Sequence, residues 1–309
     1  MYNYRAFDLT IQSELPFREL LSNAHAEQDT SQIRIAFSTV SPNGLIEPPS
    51  LKTAFYQATS TEFWLHVPQV ARFLITNGDQ IHIDPMPESD EDSIRLFVLG
   101  SCMGALLMQR QLLLLHGNAI KIGSQCVSFI GDSGAGKSTL SGAFFKRGYS
   151  ILADDVCAIN HVGEVLPSFP QIKLWADAAK QLIINTQPLK KIRPTLDKFA
   201  VPLRQQFHNK ATPLKMVYLL ETHHQKEISM TTLEGMEKCH ALQHHVYRKQ
   251  YLSNRAREHL CFKQCMMLAS KVELVRITRP VNEFKLDTLL NQIKTDLMTR
   301  GITENTLTQ

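Results

Sequence analysis

Residues 116–155 read HGNAIKIGSQCVSFIGDSGAGKSTLSGAFFKRGYSILADD. Within them, 131–138 (GDSGAGKS) fit the spacing G-x-x-x-x-G-K-[ST], with Gly131, Gly136, Lys137 and Ser138 at the fixed positions. That spacing has a physical purpose. Glycines let the backbone curl until its N–H groups converge on phosphate oxygens, the lysine adds a point charge at the β- and γ-phosphates, and the serine hydroxyl is a Mg²⁺ ligand. Four fixed positions arise by chance in a chain this long roughly once in a hundred. Context sharpens the match. CVSFI is an apolar strand entering the loop, and KSTLSGAFFKRG is a helix leaving it, with Leu140, Ala143 and Phe144 inward. The positive end of that helix faces the same anion. The phosphate-contacting set is therefore Gly131, Asp132, Ser133, Gly134, Ala135, Gly136, Lys137, Ser138 and Thr139. A dinucleotide fingerprint is excluded: Thr139 takes the third glycine position, and Lys137-Ser138 has no task in a Rossmann turn.

Working outward, the backbone around this stretch is unusual for the chain. Nine of the 14 glycines lie between Gly100 and Gly148, and no proline occurs between Pro87 and Pro167. Uninterrupted strands and helices must therefore hold the loop. Leu112–Ile122 and Cys126–Ile130 read as strands, and SILADDVCAI (150–159) as another. Strand, loop, helix and strand in that order suggest an α/β core. Two adjacent carboxylates, Asp154 and Asp155, at the end of an apolar run are costly unless paired or metal-bound. Beside a phosphate loop, one can hold Mg²⁺ and the other can take a proton from an attacking hydroxyl.

These residues resemble the HPr kinase/phosphorylase group, P-loop kinases with a PEP-carboxykinase-like core. The matching elements are His116-Gly117, GDSGAGKS, Arg147-Gly148-Tyr149 and Ala153-Asp154-Asp155. The resemblance implies an α/β mixed sheet with flanking helices, ATP and Mg²⁺ as cofactors, and transfer to a serine hydroxyl. It implies that Asp154 is the general base, that Asp155 joins Ser138 on the metal, and that His116 lies beside the transferred phosphoryl group. The HPr enzymes are hexamers, so a homo-oligomer is left open. Thr139 stands where that group carries an acidic residue, and its E-[IL]-R-G-x-G segment has no counterpart. PSFPQIKLWADAAKQ (167–181) and YRAFDLTIQSELPFREL (4–20) look more like HPr-kinase-related serine kinases of peptide-modification clusters, including those acting on lasso-peptide precursors. The partner so implied is a peptide or protein with an acceptor serine.

Elsewhere, residues 1–90 hold short alternating segments, such as Ile33–Phe37 and Phe63–Val67, and an Asn77-Gly78 hairpin signal. A β-rich module over 1–90, a catalytic domain over 91–301 and a polar, frayed tail over 302–309 follow. Leu96–Met108 reads as a buried helix, with Gly100 and Gly104 allowing close helix packing. A helix is expected near 174–184, helix through 233–270, and a last helix capped by Asn282. Lys190, Lys191, Arg193 and Lys198 form a basic stretch; Arg193 and Lys198 could clamp phosphate or an acidic substrate end, against the reading of a solvated face. Trp64 and Trp175 are expected in the core.

Composition narrows the class. Net charge is +4, with 43% hydrophobic and 20% charged residues, which points to a globular chain without the basic stripe of a nucleic-acid binder. Six scattered cysteines suit a reducing, cytoplasmic setting. The apolar run Leu96–Met108 is too short for a membrane span, and the first residues lack a signal-peptide pattern. Three alternatives stay open: a nucleotide-binding regulatory or scaffold protein without an acceptor, a kinase of free serine or another small hydroxyl compound, and a metal-binding module. The last rests on Cys239, His240, His244, His245, His259, Cys261 and Cys265, whose spacing matches no zinc finger and reads better as packing and surface positions.

Overall fold

The computed structural model describes residues 1–23, 32–193, 196–251, 254–281 and 284–303. It has two compact units, one of Met1–Leu114 with Tyr247–Lys263, the other of Leu115–Val246 with Gln264–Gln309.

The first unit is built on strand alternation. Its strands are β1 (Tyr2–Ala6), β2 (Leu9–Ser13), β3 (Leu21–Ser22), β4 (Ile33–Phe37), β5 (Leu51–Lys52), β6 (Tyr56–Ala58), β7 (Glu62–Val67), β8 (Ala71–Thr76) and β9 (Gln80–Pro85). They form one sheet in the order β3-β1-β2-β4-β9-β8-β7-β6-β5. The β2–β4 and β4–β9 pairs are parallel, and the others are antiparallel. Side chains of a strand alternate between faces, so Ala71, Phe73 and Ile75 of β8 and Ile81 and Ile83 of β9 are buried on one side. The β8–β9 turn uses Asn77 and Gly78, both at positive φ, as that pair's tolerance of left-handed backbone predicts.

The apolar run 96–108 is not one regular helix. It comprises the end of α1 (Glu91–Phe97), a π-helical turn (Val98–Cys102) and most of α2 (Met103–Gln109). Asp90 caps α1, its carboxylate accepting from Ser93 N at 2.7 Å. The close packing expected at Gly104 is against an aromatic ring rather than a helix: a Cβ there would lie 2.9 Å from Tyr247 Cε1. Among the described residues, no helix is long and apolar enough to cross a membrane.

The second unit is mixed α/β. Its main sheet contains β10 (Leu113–Ile122), β11 (Gln125–Gly131), β12 (Ile151–Ala153), β13 (Val156–Ile159) and β14 (Glu164–Leu166). A separate two-stranded sheet pairs β15 (Gln171–Trp175) with β16 (Lys198–Pro202). The main sheet is completed by β17 (Thr212–His223), β18 (Ser229–Thr232) and β19 (Glu273–Pro280). Its order is β11-β10-β13-β14-β17-β19-β18, with β12 also on β10 and β11 also on β17, so part of the path closes on itself. The β11–β17 and β17–β19 pairs are parallel.

The α-helices among the described residues from here on are α3 (Lys137–Lys146), α4 (Ala176–Gln181), α5 (Gly235–His244), α6 (Arg255–Lys271), which runs from the first unit into the second, and α7 (Leu286–Thr299). The helix expected near 174–184 is thus shorter, because Leu174 and Trp175 are spent on β15. The helix expected through 233–270 is interrupted between His244 and Arg255. On α7, Leu289, Leu290, Ile293 and Leu297 face the core; the Asn282 cap lies outside the described residues. Ile302, expected in a frayed tail, is buried, and its N–H donates to Leu297 O at 2.9 Å. Trp64 is buried, but Trp175 is 45% exposed, with Lys198 Nζ 5.6 Å from its ring.

An aromatic stack holds the strand that feeds the loop. Phe129 of β11 stacks on Phe144 of α3 (5.6 Å) and on Tyr218 of β17 (5.8 Å), and the Tyr218 hydroxyl donates to Asp296 of α7 at 2.7 Å. Phe129 is fully buried. Phe129→Ala should therefore cost about 3–5 kcal/mol, read as a lower urea midpoint with an unchanged slope; a loss below about 1 kcal/mol would contradict the stack's role.

Candidate active site

Strand β11 ends at Gly131, and α3 starts at Lys137; the residues between them make a tight loop. Gly131, Gly134 and Gly136 have φ of 148°, 86° and 103°. Side chains are strained there, and at Gly131 a Cβ would also lie 2.5 Å from Leu220 O. Asp132, Ser133 and Gly134 form the exposed tip, while Ala135 and Lys137 are buried. Lys137 folds back under the loop, its ammonium donating to Gly131 O (2.8 Å) and Asp132 O (2.9 Å). Burial lowers its pKa; Asp155, Asp154 and Asp132 act in the opposite direction. Ser138 and Thr139 follow in the first turn of α3, both half-buried.

The run 150–159 is not one strand. It breaks at the aspartate pair, with Asp155 at φ 73° between β12 and β13. Aspartate tolerates this left-handed conformation better than most residues. The break sends the two carboxylates into different surroundings. Asp154 is only 4% exposed. Its Oδ1 accepts from Asn118 Nδ2 (2.8 Å) and Ser138 Oγ (3.3 Å), and its Oδ2 accepts from Lys173 N (2.7 Å). Burial, then Asp155, pushes its pKa up. The Asp155 side chain is 29% exposed and lies 3.5 Å from Lys173 Nζ and 3.6 Å from His116 Nδ1. Burial would raise it, but Lys173, Lys198 and His116 outweigh that and hold it below the usual carboxylate range.

His116 and Asn118 lie two apart on β10 and so share a face. His116 Nδ1 is also 3.2 Å from Asp155 O. Burial and Lys137 lower its pKa against the pull of Asp155. Lys198 stands on β16, opposite Trp175. Its charge acts on Asp154, Asp155, Lys137 and His116 alike. Arg193 lies in a turn before β16, its carbonyl accepting from Leu196 N at 3.1 Å. Lys191 pairs with Asp197 on the surface.

Three residues here carried no sequence signal. Asn118 is an ordinary strand position, and Lys173 sits alone in an apolar stretch. Arg279, on β19, is 8% exposed and lays its guanidinium on the loop: Nε and Nη2 donate to Ala135 O (3.3 and 3.0 Å), while Phe284 lies against it at 4.4 Å. Among the described residues, its hydrogen bonds are all to carbonyls.

The cysteines do not gather with the histidines. Cys239, Cys261 and Cys265 are buried, while His240 and His259 are exposed.

The arrangement has two chemical halves. Among the described residues, the buried cations Lys137 and Arg279 hydrogen-bond only to carbonyl oxygens, which suits an anion arriving at the loop. The Ser138 hydroxyl and Asp154 carboxylate give an all-oxygen donor pair, which fits a hard cation such as Mg²⁺.

No protein-family model matches the chain, and no curated protein matches it. Among solved structures, it is similar to the Hpr(Ser) kinase/phosphatase from Coxiella burnetii, at 11% identity and a TM-score of 0.28, over 61% of this chain and 98% of that one.

Proposed function

We propose that this chain is an ATP-dependent kinase that transfers the γ-phosphoryl group to a serine hydroxyl of a peptide or protein. The observation that carries this reading is the buried Lys137 ammonium under a positive-φ glycine loop, beside a Ser138–Asp154 pair and an accessible Asp155. Lys137 and the loop N–H groups hold the phosphates. Mg²⁺, held by Ser138 and Asp154, would neutralise phosphate charge when bound. Asp155 orients the acceptor hydroxyl and takes its proton as the new P–O bond forms. His116 stands at its side, and Lys173 and Lys198 keep Asp155 ionised. Most of the rate then comes from positioning and charge compensation.

This reading exchanges the carboxylate roles that the sequence resemblance implies. Asp154 is 4% exposed and already accepts three hydrogen bonds, one of them from the Ser138 hydroxyl, which favours the metal role over contact with an incoming acceptor. Asp155 is the reachable one. The choice of a serine rests on the resemblance of residues 116–155, and that of a peptide on the stretches 4–20 and 167–181.

Incubation with Mg²⁺-ATP and a serine-containing peptide library, read by mass spectrometry, tests the reading. Phosphoserine in a subset of peptides is expected. Tight ATP binding without a phosphopeptide would favour a regulatory nucleotide-binding protein, and phosphorylation of free serine alone would favour a small-molecule kinase.

A further inference from the structure

The loop tip has neighbours that nucleotide chemistry does not use. The Asp132 carboxylate lies 3.8 Å from His245 Nδ1 and 4.0 Å from His244 Nε2, and one donor atom from each residue lies within 4.8 Å of the other two. The imidazoles meet edge to face, with centroids 4.9 Å apart. His245 is only 7% exposed, and the Asp132 carboxylate lies 3.8 Å from its Nδ1. A largely buried imidazole beside a carboxylate and a second imidazole is a ready donor to a metal ion.

Consecutive histidines on a regular helix would diverge by about 100°. Here α5 ends at His244, and His245 leaves it with φ −98° and ψ 21°, which lets both rings turn toward Asp132. The His245 backbone is fixed as well, its carbonyl accepting from His116 N at 2.8 Å. Three ligands at about 2.0–2.2 Å from one tetrahedral ion stand about 3.4 Å apart. The two carboxylate–imidazole spacings need to close by about half an ångström, and the imidazole–imidazole spacing, within 4.8 Å, by at most about 1.4 Å. Asp132 and His244 are exposed and free to rotate toward the rigid His245.

We infer that Asp132, His244 and His245 form a binding site for one divalent cation of the zinc class, which ties the loop tip to the end of α5. Two imidazoles and one carboxylate select Zn²⁺, Co²⁺ or Ni²⁺ over Mg²⁺ and Ca²⁺. With three protein ligands, a fourth position stays open to water or a ligand atom. Because Asp132 follows Gly131 directly, the bound ion restrains the loop 131–138. The metal site stands on its own donor atoms, whether or not the loop takes ATP.

The test is Zn²⁺ titration of the nucleotide-free protein by calorimetry, with Co²⁺ absorption as a second probe and hydrogen exchange of the loop amides as a third. One-to-one binding is expected, with a tetrahedral Co²⁺ spectrum free of thiolate charge-transfer bands. His244→Ala changes an exposed residue outside the loop, so it should keep the fold and lower Zn²⁺ affinity at least about tenfold. Zn²⁺ should slow exchange at residues 132–136 in the wild type and leave it unchanged in the His244→Ala protein. Absence of saturable binding, or equal affinity in the variant, would overturn the site. Binding without slowed exchange would overturn the link to the loop.

Discussion

Replacing Lys137 with methionine should lower phosphoryl transfer by about 10²–10³-fold, with little change in stability. Transition-state charge on the γ-phosphoryl oxygens loses its nearest point charge, a loss of the size seen when one preorganised donor is removed. In the folded protein the ammonium is buried and its charged form is disfavoured, so methionine relieves a desolvation cost. Against that, two hydrogen bonds to Gly131 O and Asp132 O disappear, each worth about 1 kcal/mol. The two effects oppose each other. ATP titration, thermal melting and single-turnover transfer on one preparation check all three. A variant that transfers within threefold of wild type would remove this lysine from the chemistry.

Asp154→Asn and Asp155→Asn should fail in different ways. At Asp154, a single amide must replace a carboxylate that accepts from Asn118, Ser138 and Lys173 N. With its oxygen kept toward Lys173 N, its NH₂ faces the Asn118 amide and the Ser138 hydroxyl, both of which must turn to accept it. A stability loss of about 1–3 kcal/mol follows, together with weaker Mg²⁺-dependent ATP binding. Asp155→Asn leaves those bonds in place. ATP affinity should hold, while transfer drops by about 10²–10⁴-fold, the usual range for losing a general base. Melting curves, ATP affinity with and without Mg²⁺, and single-turnover rates separate the two. If Asp154→Asn instead keeps Mg²⁺-ATP affinity and loses only transfer, Asp154 is the base and the exchange of roles fails.

The loop and its flanking elements were legible because their signals are local. Cys126–Ile130 is a run of apolar and β-branched residues, and Gly131, Gly136 and Lys137 follow at a fixed spacing. The α/β character of this part and the strand alternation before residue 90 were legible for the same reason. What escaped depends on tertiary structure. The break at Asp155 is a backbone dihedral, invisible in an apolar pattern that continues through Val156. It decides which carboxylate faces Ser138 and which faces His116. The interruption after His244 escaped likewise, because apolar residues keep helical spacing across it. Asn118, Lys173 and Arg279 reach the site from β10, β15 and β19, and no spacing rule links positions so far apart. Asp132 and His245 are joined only by the fold, so a metal-binding reading of the sequence groups His244 and His245 with the cysteines and leaves Asp132 out.

All six cysteines are buried. Burial raises the Cys102 and Cys126 thiols well above their ordinary value and takes Cys157 to about 12. Alkylating reagents attack the thiolate, so these sulfurs are silent while the chain is folded. They become reactive only when their surroundings open, which makes them clocks for opening. Cys102 belongs to the first compact unit, Cys126 and Cys157 to the second. A timed alkylation pulse, mapped by peptide mass, therefore reads whether the two parts of this chain come apart in one step or in two.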